Sequence, residues 1–221
     1  MRKDITTSAI GIVVLTLLLG VLYPLVITGI SQVAFPGNAN GQQVKLNGKL
    51  VGSKIIGQQF ADPVINKKTG KVELDKNGNP VTTPDPKYFQ TRPSATVPPD
   101  NDAATTFSNL GPNNVATEQE IAANIKAYLA LEKPYDPGLT TAQVPVDAAD
   151  SSASGVDPDI SQANAWIQAH RVAAVRHLSL SKVMQLISQY TTARSLGIFG
   201  EPGVDVLELN LALDRLAGGR S

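Results

Sequence analysis

Hydrophobic and polar positions divide this chain into one long apolar block, followed by a region in which the two alternate with short periods. No charged residue stands between Asp4 and Lys45, and across residues 8–30 the only polar side chains are Ser8, Thr16, Tyr23 and Thr28. As a helix at ~1.5 Å per residue this block is about 34 Å long, enough to cross hydrocarbon roughly 30 Å thick. One membrane span is expected. The run also exceeds the ~7–15 apolar residues usual in a cleaved leader, which argues for its retention. Arg2 and Lys3 precede it and the next Lys or Arg is Lys45. The positive-inside rule therefore puts residues 1–7 in the cytoplasm and residues 31–221 outside. Within the span Pro24 has no amide hydrogen to offer Gly20, so a bend is expected there. Thr16 and Gly20 form a small-xxx-small pair that would let another helix approach closely, although a plain anchor fits equally well. Thr16, Gly20 and Pro24 are the candidate packing positions of the membrane helix.

Beyond residue 31 the pattern is that of one water-soluble domain with its own core. Leu50, Val51, Ile55 and Ile56 predict a strand over residues 50–58. Residues 64–81 carry Thr69-Gly70 and Asn77-Gly78 turn pairs around the alternating Lys71-Val72-Glu73-Leu74-Asp75, which predicts a solvent-facing hairpin or meander. From Pro84 to Pro112 prolines and small polar residues prevail, and so long a stretch, if ordered, must be held by its side chains or by another subunit. A helix follows, with Thr117 and Glu120 as a capping box, Ile121, Ile125, Tyr128 and Leu129 on one face, and Lys133-Pro134 as its stop. Ser161 and Ser179 each open a further helix, and the two make a helical hairpin with Leu178 as a hydrophobic staple. The last segment, residues 206–216, is ambiguous: Leu207, Leu209, Leu211 and Leu213 alternate as in a strand, whereas Asp205 and Glu208 cap a helix. Helix is the favoured reading. The fold class is thus α+β: a single N-terminal transmembrane helix (residues 8–30), then one soluble domain with an inserted β-hairpin.

Charge narrows the function. Nineteen basic and nineteen acidic side chains cancel, and with no basic surface domain a nucleic-acid partner is excluded. The absence of cysteine removes disulfides, thiolate metal sites and cysteine nucleophiles. With two histidines, His170 and His177, any metal site would rest on carboxylates. The phosphate-loop pattern, the Gly-x-Ser-x-Gly elbow and the His-Glu-x-x-His pair are all missing. Asp147, Asp150, Asp157 and Asp159 lie in a Ser- and Ala-rich loop where they would gather a hard cation or, more in keeping with their Asp-Pro and Ser neighbours, serve as turns and caps. Gln168 and Arg171 are three apart and share a helix face, offering an amide and a cationic fork suited to phosphate or carboxylate. Both would equally serve to bond loop carbonyls or Asp157 within the domain, and that structural role is favoured.

Several strings together carry a family resemblance. After the apolar block come Gly57-Gln58-Gln59-Phe60, Tyr88-Phe89 with Arg92-Pro93-Ser94-Ala95, Ser108-Asn109-Leu110-Gly111-Pro112 and Ser154-Gly155-Val156-Asp157-Pro158. Gln168 with Arg171-Val172-Ala173, Gly200-Glu201-Pro202 and Val206-Leu207-Glu208-Leu209-Asn210-Leu211-Ala212-Leu213-Asp214 complete the set. The chain resembles the C subunit of Kdp-type potassium-transporting ATPases from the membrane helix to about Leu216. Residues 63–86 interrupt the likeness as an insertion. Thr106-Phe107 replaces the usual glycines, Asp159 the usual histidine, and His170 the usual proline or small residue.

The resemblance implies a non-catalytic, single-pass subunit of a bacterial inner-membrane complex. Its partners would be a potassium-channel-like subunit, a separate P-type ATPase subunit that is phosphorylated, and membrane lipid. Two mechanisms attach to the family. In one the chain is a catalytic chaperone that raises ATP affinity of the pump subunit, with Gln168, and Arg171 beside it, in nucleotide contact. In the other it is a stabilising outer cap near the potassium entrance, and the charge asymmetry around the span favours this one. The contrasting possibility is a membrane-anchored exported enzyme or solute-binding domain acting alone, which the lack of a nucleophile-base pair disfavours.

Overall fold

The computed structural model describes residues 2–96, 99–101, 103 and 109–218. The chain is α+β and divides into two compact units, residues 1–53 and 54–221.

In the first unit, helix α1 (Arg2–Leu17), a π-helical segment (Leu18–Leu22) and helix α2 (Tyr23–Ala34) run on from one another. Together they form a 33-residue helix, Arg2–Ala34, long and apolar enough to cross a membrane. Around Gly20, where a bend is expected, the chain forms the π segment. The Tyr23 amide donates to the Leu18 carbonyl, five residues back. This wide turn shifts the hydrogen-bond ladder immediately before Pro24, which has no amide hydrogen to continue it. A short helix α3 (Pro36–Ala39) leads into an antiparallel hairpin of β1 (Gln43–Leu46) and β2 (Lys49–Ser53). Its two-residue connection, Asn47-Gly48, has φ of 51° and 79°, the left-handed pair that a tight hairpin turn requires. The strand expected over residues 50–58 therefore ends at Ser53.

In the second unit, β3 (Ala61–Pro63) and β4 (Thr82–Pro84) pair antiparallel. Beyond them isolated bridges Ile65–Val72 and Leu74–Pro80 continue outward, giving the expected meander. Helix α4 (Val115–Glu132) follows. Its cap is Asn114, whose side chain accepts from the Ala116 amide. Thr117, the expected cap, instead donates to the Gly111 carbonyl at 3.4 Å. A one-turn helix α5 (Val146–Ala149) precedes β5 (Asp159–Ile160). Helices α6 (Gln162–Val175) and α7 (Leu180–Gln189) form the expected hairpin, capped by Ser161 and Ser179 accepting from Asn164 and Lys182 amides. Between them His177 turns the chain at φ 54°. The Leu178 amide donates back to Ala173 O at 2.9 Å and the His177 amide to Ala174 O at 3.3 Å, closing a Schellman motif.

Strands β6 (Thr191–Thr192) and β7 (Gly203–Asp205) complete a small antiparallel sheet in the order β5-β7-β6. β7 runs directly into helix α8 (Val206–Gly218). The final segment is thus a helix, and its start is set by Asp205, whose Oδ1 accepts from the Glu208 amide at 2.7 Å. Glu208 does not reach back to close the box; it pairs with Lys54 at 2.6 Å. Val206, Leu207, Leu209, Leu211 and Leu213 are all buried, so α8 is enclosed on nearly every side and its leucines need no single face. The core joins Phe89, Ile160, Ala169, Val172, Val183, Ile187, Val204, Leu209 and Leu213. Phe89 is the member that comes from a loop, and it belongs to the segment on which the candidate site is built.

Candidate functional site

Residues 85–96 have almost no regular structure, yet Phe89 is fully buried. A buried loop leaves backbone polar groups that need partners. Here side chains supply them. Asn210 of α8 accepts from the Phe89 amide and donates to the Phe89 carbonyl, both at 2.9 Å. One residue on, Gln168 of α6 accepts from the Gln90 amide at 2.7 Å and donates to the Gln90 carbonyl at 3.1 Å. Two side-chain amides thus stand in for neighbouring strands.

Arg171 completes this arrangement. Its Nη1 donates to the carbonyls of Pro86 and Tyr88 at 2.7 and 2.8 Å, Nη2 to Gln168 Oε1 at 2.9 Å, and Nε to Glu132 Oε1 at 2.9 Å. Arg171 is 0% and Glu132 1% exposed, so the pair is held away from water and depends on these bonds. Burial pushes the Glu132 carboxyl above the usual range, and Arg171 opposes that rise. The sequence placed Gln168 and Arg171 on one face, and the structure brings them together around the loop carbonyls. Gln168 also donates to Asn164 Oδ1 at 2.9 Å. Its amide oxygen then accepts two bonds and its nitrogen donates two, the full capacity of the group.

The outer part of the loop is fixed by a second set of contacts. Arg92 bonds Asp157 at 3.3 Å and the carbonyls of Asp150 and Ser151, and Ser94 donates to the Gly155 carbonyl at 2.6 Å. Gly57 also lies here, its amide donating to Val156 O at 2.7 Å. A β-carbon at Gly57 would come within 2.6 Å of the Asp157 carbonyl oxygen, which explains why glycine opens that string. Asp147 braces the Ser161 cap of α6, accepting from the Ser161 amide and hydroxyl at 2.8 Å each and from the Asn164 side-chain amide at 3.0 Å. Asp157 accepts from the Asp159 amide at 3.1 Å. These are turn and cap roles. Among the described residues no group of three or more His, Cys, Asp or Glu side chains is placed to hold a metal ion.

Beside the loop is a cavity of about 290 Å³, lined among others by Gln90, Arg92, Asp100, Tyr128, Glu132, Asn164 and Gln168. Tyr128 donates to Asn164 Oδ1 at 2.9 Å. Burial raises the Asp100 carboxyl to about 6, with Thr91 bonding it in the opposite sense. Asn210 and Glu132 are the working residues that sequence reading missed. A signal existed for Asn210, a lone amide in a leucine run, because a polar group buried there must find a partner. None existed for Glu132, which reads as one more charge at a helix end.

Comparison with known proteins gives a consistent result. The family model described as KdpC, K+-transporting ATPase, c chain, matches residues 5–215. The potassium-transporting ATPase KdpC subunit of Ralstonia nicotianae is 45% identical over 203 residues, covering 91% of this chain and 86% of its own length. Those of Herminiimonas arsenicoxydans and Herpetosiphon aurantiacus are each 41% identical, over 97% and 98% of this chain and 99% and 98% of their own.

Proposed function

The chain belongs to the KdpC family of K+-transporting ATPase C chains, and from that membership we propose that it is the non-catalytic accessory subunit of an ATP-driven potassium uptake complex. It anchors by its one apolar helix and presents the second unit on the outer side of the cytoplasmic membrane, stabilising the assembly of a channel-like subunit with a P-type ATPase subunit. The observation that carries this reading is the extent of the family match, which includes the helix and the soluble unit alike. The charge asymmetry around the helix supports the outward placement. Leu196, Ile198 and Phe199 support docking on other chains. They are 86, 69 and 61% exposed on a turn closed by the Ser195–Phe199 bridge, and exposed apolar clusters mark contact surfaces.

For Gln168 and Arg171 we propose a positioning role: they hold residues 86–90 against α6. A nucleotide contact at Gln168 would have to displace Gln90, Asn164 or Arg171 from a saturated amide, so the outer-cap mechanism is preferred to the chaperone.

Purification of the tagged full chain from its host in mild detergent tests the assembly role. Co-elution of channel-like and P-type ATPase chains, with loss of high-affinity potassium uptake when the chain is deleted, is expected. A chain that elutes alone, with uptake intact after its deletion, would support an enzyme or binding domain acting by itself.

A further inference from the structure

No residue from 64 to 81 is buried, yet the backbone of this meander is firmly tied. At its base three bonds close a ring: the Val64 amide donates to Val81 O, the Val81 amide to Glu73 O and the Glu73 amide to Val64 O, each at 2.8 Å. Two short loops fork from this ring, one closed by the Ile65–Val72 bridge and the other by Leu74–Pro80. Side chains fix their turns. Asn66 Oδ1 accepts from the Lys68 and Thr69 amides at 3.0 and 3.2 Å, and Asp75 Oδ1 from the Asn77 and Asn79 amides at 2.8 and 2.9 Å. The fork is a built shape and not a slack linker.

It displays two kinds of surface. Ile65, Val72 and Leu74 are 49, 39 and 61% exposed, apolar area that the chain leaves uncovered. Beside them Lys67, Lys68, Lys71 and Lys76 are all exposed. Among the described residues none of these four lysines has a carboxylate at ion-pair distance. The two acids of the fork are engaged in holding it: Glu73 accepts from Asn66 Nδ2 at 3.2 Å and Asp75 closes its turn. Four ammonium groups against two carboxylates leave a positive surplus.

A partner that satisfies both features is anionic at its surface and apolar beneath. An acidic protein face offers the first without the second, whereas a phospholipid surface sets phosphates over hydrocarbon. Lipid is also the phase at hand. The same chain carries the helix Arg2–Ala34, long and apolar enough to cross a membrane, and a contact made by a tethered unit needs little affinity of its own.

We propose that the fork formed by residues 64–81 is a second, peripheral membrane contact that binds anionic phospholipid, with its lysines on the phosphates and Ile65, Val72 and Leu74 in the interface. The inference does not depend on which face of the membrane the second unit occupies.

The absence of native cysteine allows a single one at Asn77, exposed on the second loop, to carry an environment-sensitive nitrobenzoxadiazole label. The full chain is reconstituted in nanodiscs of phosphatidylcholine, with or without phosphatidylglycerol, that contain a lipid bearing a quencher at headgroup depth. Quenching is expected in the anionic discs. The ratio of lipid-bound to free fork should fall at least about tenfold in neutral discs, since each lysine at an anionic surface contributes about fivefold. Lys67→Gln, Lys68→Gln, Lys71→Gln and Lys76→Gln, introduced together, should cause the same loss, and added salt should weaken the contact. The four side chains are exposed and unpaired, so the variant keeps its fold. A label at Ala153, exposed elsewhere on the unit, should stay unquenched in every disc. An unquenched label at residue 77 in anionic discs, equal quenching in neutral discs, equal quenching at residue 153, or quenching that survives the four changes would overturn the inference. So would a label shielded only in the assembled complex and never quenched by lipid, which assigns the fork to a partner chain.

Discussion

Ile5, Ile12, Leu15 and Leu25 of the first unit are all more than half exposed, and no residue of α1 or α2 is buried. Helix α8 of the second unit instead encloses Val206, Leu209 and Leu213 completely. Both helices are rich in leucine, so leucine content does not separate them. What separates them is the origin of their surroundings. The first helix needs lipid or other chains to cover its apolar surface, whereas α8 is covered within its own unit, which then uses buried amides and charges to fix a loop. The first is sensitive to what it lies in, the second to what it contains.

The largest expected effect lies inside the second unit. Arg171→Ala leaves Glu132 buried without its charge partner and frees the Pro86 and Tyr88 carbonyls, so stability should fall by about 3–5 kcal/mol. Denaturant unfolding followed through Trp166, the single tryptophan, measures this, and a loss below about 1 kcal/mol would mean that the network is not what holds the loop. Membrane insertion should not change. The mirror experiment is Leu15→Arg, which should cost about 2.5–3.5 kcal/mol of insertion free energy and leave the unfolding of the second unit untouched. If either variant affects both readouts, the separation between the units fails.

A smaller effect concerns acidity. Asp205 lies opposite Asp159 across the β5-β7 pair, and burial raises its carboxyl from 3.8 to about 6. Asp159 is raised as well, by burial and by Asp157. The folded form therefore holds the Asp205 proton where the unfolded chain has released it. Stability then falls as pH rises between those two values and stays lower above them. Asp205→Asn keeps an oxygen to accept from the Glu208 amide but carries no charge. It should stabilise the second unit by up to about 3 kcal/mol at pH 8 and by almost nothing once pH is below the unfolded value. Melting curves at pH 8 and pH 3.5 check the sign, and a constant difference would remove the cause given. The smallest effect is at His177, which occupies the left-handed position closing α6. His177→Gly should raise stability there by a few tenths to about 1 kcal/mol, detectable as a small rise in melting temperature.

Local features were legible in the sequence and distant pairings were not. Ser161 and Ser179 were readable as caps because the bond each makes spans three residues. The meander was readable from its Gly-containing turns. The expected cap at Thr117 fails because the helix already starts at Val115, capped by Asn114, which places Thr117 inside the first turn. The hairpin at Asn47-Gly48 has a plain turn signal, but the apolar run after it points to a single strand over residues 50–58. Residues 206–216 stayed ambiguous because a helix buried on nearly all sides shows no periodicity. For the candidate site, the shared face of Gln168 and Arg171 follows from spacing. Their partners Gln90, Pro86 and Glu132 do not, since those contacts close over 78, 85 and 39 residues and only the folded chain brings them together.

The most direct test of the account is sidedness, and the absence of native cysteine makes it clean. One cysteine is placed at Lys3, ahead of the apolar helix, and in a separate variant one at Ala153, an exposed position of the second unit. Intact spheroplasts carrying each are treated with a membrane-impermeant maleimide. The account predicts labelling at residue 153 at once and at residue 3 only after permeabilisation. Protection of residue 153 until the membrane is opened would contradict it, placing the second unit in the cytoplasm.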